Sequence, residues 1–115
     1  MKIVDRTAFL KLPANTVYSL SDYKVSSQRV NISGLYIKGD TVANVDYYEQ
    51  SIPDFEWDDT EEYVNTILAA VKDNIEIDVS FNSETKNGLF DAEQMYVVWS
   101  KNDISSLIER LKECL

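Results

Sequence analysis

Residues 30 to 52 read VNISGLYIKGDTVANVDYYEQSI, and where this stretch turns back on itself decides the architecture. It is dense in β-branched and aromatic residues, the types that suit a pleated, half-buried surface. Gly39-Asp40 has the composition of a two-residue turn in which Gly supplies positive φ, so a β-hairpin is expected over Val30 to Ile52. Around Gly34 the apolar alternation changes phase, from Val30 and Ile32 to Leu35 and Ile37, which predicts a β-bulge there.

Toward the N-terminus, TVYSL (Thr16 to Leu20) reads as a strand, and a polar connection, SDYKVSSQ, leads from it to the hairpin. A short helix is expected from about Arg6 to Lys11, capped by Asp5 and stopped by Pro13. Toward the C-terminus, the spacing of Tyr63, Val64, Ile67, Leu68 and Val71 predicts a helix from about Thr60 to Lys72, with Asp59 and Glu62 at the positions of a capping box. IEIDVSF (Ile75 to Phe81) alternates apolar and polar and predicts a half-buried strand. After a loop around Lys86-Asn87-Gly88, QMYVVWS (Gln94 to Ser100) is apolar on both faces, as a central strand would be. A last helix is expected after Asn102 or Asp103, with Ile104, Leu107, Ile108, Leu111 and Leu115 as its inward stripe. The order α, β, β, β, α, β, β, α with short links predicts a single α+β domain, 1 to 115: about five mostly antiparallel strands covered on one face by the two longer helices.

Composition excludes several kinds of function. The chain has no histidine and one cysteine, Cys114, so Ser-His-Asp and Cys-His catalysis have no residues to work with. Its three glycines are scattered and form no phosphate-cradling loop. A net charge of -9 disfavours direct contact with nucleic acid or an anionic membrane. The opening MKIVDRTAFLKL is charged every few residues, and no apolar run approaches the roughly 18 to 20 residues of a membrane span, so a cytoplasmic protein without signal peptide or anchor is expected. No catalytic residue, metal ligand or cofactor is assigned.

The charge is unevenly placed. Between Gly39 and Val71 there is no Lys or Arg, while nine acids fall there, six of them in DFEWDDTEE, residues 54 to 62. Acids at a helix start are stabilised by its free amides and dipole, which explains Asp58, Asp59, Glu61 and Glu62 without any function. Asp46, Glu49, Asp54 and Glu56 lie outside that helix and have no basic neighbour in sequence. Phe55 and Trp57 alternate with acids after Pro53, the pattern of aromatic anchors with a charged rim. Asp46, Glu49, Asp54, Phe55, Glu56, Trp57 and Asp58 are therefore the candidate partner-binding residues, and the expected partner is a basic protein. Two alternatives stand beside this: a small structural or accessory domain whose acidic face only meets water, and a carboxylate- or metal-dependent hydrolase built on paired acids.

In DRTAFLKLPANTVYSL (Asp5 to Leu20) and GLYIKGDTV (Gly34 to Val42) the chain resembles small uncharacterised proteins of tailed bacteriophages and prophages, which share an FLxLPxGTVY-like opening and a GLxIKGDT-like turn. Asn15 stands where that opening has Gly. The resemblance spans roughly the first 45 residues and implies a viral or prophage origin. On it, the basic partner becomes a host or defence protein, one that ordinarily grips nucleic acid and is occupied by carboxylates and aromatics in place of phosphates and bases.

Overall fold

The computed structural model describes residues 1–23 and 30–115, so most of the polar connection expected over residues 21 to 28 lies outside the described residues. The elements, in chain order, are β1 (Lys2–Val4), α1 (Arg6–Leu10), β2 (Thr16–Ser21), β3 (Ile32–Val42), β4 (Asp46–Ser51), α2 (Thr60–Asp73), β5 (Thr85–Lys86), β6 (Met95–Val98) and α3 (Lys101–Lys112). The class is α+β as expected, with six strands in one sheet ordered β1-β6-β2-β3-β4-β5, every neighbouring pair antiparallel. β6 is interior, between β1 and β2, in agreement with its two apolar faces.

The hairpin exists, but its turn is not at Gly39-Asp40. β3 runs straight through these residues and reverses at Ala43 and Asn44, whose φ values are 52° and 59°, with the Val45 N–H donating to the Val42 carbonyl at 3.1 Å. Asn tolerates the left-handed region, and two successive positive φ values suit the twist of a hairpin. At Gly39-Asp40 the β3–β4 register instead shifts by one residue between Lys38 and Thr41, which is a bulge. Glycine is needed there for room: a Cβ on Gly39 would lie 2.8 Å from the Cβ of Tyr48. The bulge expected at Gly34 is present, with φ of 76° and a shift in the β2–β3 register between Tyr18 and Leu20.

The core is aromatic. Phe9 on α1 stacks on Tyr96 of β6 with centroids 3.8 Å apart, and meets Tyr18 of β2 and Tyr47 of β4 edge-on at 4.7 and 5.0 Å. Three of these rings carry hydroxyls that need partners once buried, and each has one. Tyr96 accepts from Arg6 at 3.0 Å and shares a 3.1 Å hydrogen bond with Tyr47, while Tyr18 donates to Glu49 at 3.0 Å. Burial pushes all three phenols above their ordinary pKa, and the Glu49 carboxylate adds to the effect on Tyr18. Lys38 is also buried, donating to the Gly39 carbonyl and to Thr41 Oγ1, and burial lowers its pKa.

Two further expectations fail. Residues 75 to 81 form no strand: Ile75, Val79 and Phe81 are exposed, and the segment is joined to the rest through the Ser80 N–H to the Asp54 carbonyl. Nor do the two longer helices cover a face of the sheet. Neither buries a residue or packs along a strand, and the helix that fills the core is α1, the shortest. Their local chemistry is complete even so. Asp59 accepts from the Glu62 N–H at 2.8 Å, and the Glu62 side chain reaches one residue past the cap to the Asp58 N–H. α3 starts earlier than expected, because Ser100 and Asp103 form a reciprocal capping box. The N-terminal ammonium, 2.8 Å from Asp103, holds that carboxyl down to about 2. No helix of the described residues is long and apolar enough to cross a membrane.

Candidate functional site

After β4 the chain leaves the sheet at Ser51, passes a cis Ile52–Pro53 bond and runs without regular secondary structure to Asp59, the N-cap of α2. This strap, residues 53 to 57, and the residues leading into it are held by hydrogen bonds, among them the Ser80 N–H to the Asp54 carbonyl at 3.0 Å. The Ile52 N–H donates to the Leu35 carbonyl at 2.9 Å; Gln50 Nε2 donates to the Ser83 carbonyl at 2.8 Å; and Ser83 Oγ reaches the Trp57 carbonyl at 3.4 Å. Asp54 Oδ1 accepts from the Phe55 N–H, which turns its side chain back over the strap.

Phe55 and Trp57 on the strap both meet Tyr63 from the first turn of α2. Phe55 and Tyr63 stack at 5.0 Å, and Trp57 stands edge-on to Tyr63 at 5.5 Å. Beside this trio opens a cleft of about 250 Å³, walled by Gln50, Pro53, Thr60, Ser83 and Thr85 and by three carboxylates, Glu49, Asp54 and Glu84; among the described residues no Lys or Arg lines it. Aromatic faces and carboxylates in one concavity are complementary to a cation with an apolar stem, such as a lysine or arginine side chain.

The seven candidate residues are therefore split. Asp54, Phe55, Trp57 and Glu49 line the cleft, and Glu56 and Asp58 are exposed and outside its lining. Asp46 is elsewhere, 5 % exposed, with its carboxylate accepting from the N–H groups of Tyr47 and Gly88 and so fixing the loop after β5. Glu49 is also engaged inward, one oxygen on Tyr18 and the other on Asn87. Sequence reasoning missed Tyr63 and Glu84. By spacing Tyr63 belongs to the apolar face of α2, and its place one turn from Asp59 brings it against Phe55 and Trp57 of the strap. Glu84 follows a segment misread as a strand, and nothing in its local sequence marks it.

Among the described residues no three acidic or thiol side chains gather closely enough to hold a metal ion. No family model, no curated protein and no solved structure matches the chain.

Proposed function

We propose that this is a non-enzymatic, phage-type accessory protein that binds a basic partner protein in the host cytoplasm, taking a lysine or arginine side chain of that partner into the cleft between the strap and α2. The observation that carries this reading is the lining: Phe55, Trp57 and Tyr63 beside Glu49, Asp54 and Glu84, with no basic side chain among them. The exposed acids at Glu56, Asp58, Glu61 and Glu62 form a negative rim that would steer a cationic surface toward it. A host protein that grips nucleic acid offers such a surface, so occupation of its groove by a nucleic-acid mimic is the form of inhibition this chemistry suits.

The test is titration of a fluorescent arginine-rich peptide, with a glutamate-rich peptide as control. The arginine-rich peptide should bind the protein at low salt and weaken as salt shortens the Debye length from roughly 10 Å at 0.1 M to 3 Å at 1 M. Trp57→Ala, or Asp54→Asn with Glu84→Gln, should weaken it about tenfold or more. If only neutralisation of the rim acids matters and the cleft variants bind like the parent, the cleft is not the site. The mutual packing of Phe55, Trp57 and Tyr63 favours the alternative of a structural accessory domain; in that case Trp57→Ala lowers thermal stability and leaves peptide binding unchanged.

A further inference from the structure

The cleft has a neighbour. A second hollow of about 300 Å³ opens beside it, and the two share Gln50 and Glu84 as a common wall. Ile37 and Gln50, directly paired across β3 and β4, both line this second hollow. Gln50 also holds the segment that separates the two spaces, donating from Nε2 to the Ser83 carbonyl at 2.8 Å. Ser83 lines the cleft, Phe81 and Asn82 line the second hollow, and Glu84 lines both. The Glu84 carboxylate reaches over the β3 bulge, its Oε2 2.7 Å from where a Cβ on Gly39 would stand. The second hollow thus repeats the ingredients of the first: an aromatic ring, the half-exposed Phe81, beside the carboxylates of Asp40 and Glu84. Lys38 is the basic residue of its lining, but the Lys38 ammonium lies elsewhere. Side chains alternate along β3, so Lys38 points away from Ile37. Its amine stands 5.9 Å from the centroid of the Phe9 ring, on the α1 side of the sheet, and donates to the Gly39 carbonyl and to Thr41 Oγ1.

From this juxtaposition, and resting on the reading of the cleft as a cation site, we infer that the two hollows form one groove that takes two basic side chains from an extended segment of the partner, at positions i and i+2. Charge complementarity selects the occupant. Glu49, Asp54, Glu84 and Asp40 line the groove, and among the described residues no ammonium or guanidinium within it offsets them. The spacing follows from the sheet. The cleft borders β4 and β5, while the second hollow borders β3 and the entry to β2 at Asn15, so the two are offset by one to two strand spacings, roughly 5 to 10 Å. Side chains on one face of an extended peptide recur every second residue, roughly 7 Å apart. Adjacent side chains point to opposite faces, and those four residues apart, at roughly 13 Å, overshoot the groove. Glu84, in the common wall, faces both cations.

Three isomeric fluorescent peptides test this, each a Gly-Ser chain carrying two arginines, placed at i and i+1, at i and i+2, or at i and i+6. Their composition and charge are identical, so long-range attraction does not separate them and a difference in affinity reports the groove. The i, i+2 peptide should bind about tenfold or more tighter than either isomer, because its second arginine is held in reach of the second hollow once the first is bound. Asp40→Asn combined with Phe81→Ala should erase that preference. Both side chains are exposed, so the fold should survive, and an unchanged melting temperature checks it. Equal affinity for the three isomers, still lowered by Trp57→Ala, overturns the second subsite and leaves the cleft reading standing; so does a preference that persists in the Asp40→Asn, Phe81→Ala variant. Equal affinities indifferent to Trp57→Ala, or no binding of any isomer at low salt, remove the cleft reading together with this one.

Discussion

The two sides of this molecule are stabilised by opposite means. Around Phe9, rings from α1, β2, β4 and β6 converge from positions as far apart in sequence as 9 and 96, and every buried hydroxyl has a partner. Around α2 and α3 the local devices are complete, with caps at Asp59 and Ser100 and basic residues in both last turns, yet neither helix buries a residue. Capping and periodicity establish that a helix forms and which of its faces is apolar. They say nothing of whether its own chain supplies anything to lie against. The sheet with α1 therefore holds the tertiary stability, while α2 and α3 leave much of their apolar surface exposed.

That division predicts a graded set of responses. The largest is to alkali. Tyr18, Tyr47 and Tyr96 have pKa values raised above the unfolded value near 10. Above pH 10 the unfolded chain loses phenolic protons that the folded one keeps, so the stability they contribute is full below pH 10 and falls as pH rises. The loss is about 1.4 kcal/mol per pH unit for each tyrosine that ionises only on unfolding, or about 4 for all three. Of the phenolate absorbance of the chain's seven tyrosines, the share of three should appear only in step with loss of the far-ultraviolet sheet signal. All seven titrating near pH 10 with the fold intact would show that the core is wet.

Next in size, Phe9→Ala should cost about 3 to 5 kcal/mol in denaturant unfolding, because the ring is fully buried at the meeting point of three others. Ser100→Ala removes one acceptor at the start of α3 and should cost about 1 kcal/mol, read as reduced helicity with the sheet intact.

The same contrast explains what the sequence could disclose. α1 with its Asp5 cap, β2, the interior strand β6 and the Gly34 bulge are all written in local chemistry, and all are present. The Gly39 error came from treating glycine as a source of positive φ when its role is to let β3 pass close to Tyr48. Ile75 to Phe81 alternates as a strand should, but alternation cannot supply a ladder partner, and what the segment meets is the strap, through the Ser80 N–H and the Asp54 carbonyl. For the site, charge segregation pointed to the strap, and Phe55, Trp57 and Asp54 do line the cleft. Asp46 was indistinguishable from them in sequence because its use, accepting from the Gly88 N–H 42 residues away, is a tertiary fact.

The smallest expected effect is the most informative about the helical side. By spacing, Leu68 belongs to the apolar stripe of α2, and were that stripe laid against the sheet, Leu68→Ala would cost about 2 to 5 kcal/mol. In the structure it is 44 % exposed. The substitution therefore returns only part of a leucine's apolar area to water and leaves no enclosed cavity, while Ala improves helix propensity slightly. The net cost should be about 1 kcal/mol or less, measured by denaturant midpoint beside Phe9→Ala. A Leu68→Ala loss approaching that of Phe9→Ala would mean that α2 is packed in solution, and the contrast between a tertiary sheet and locally built helices would fall.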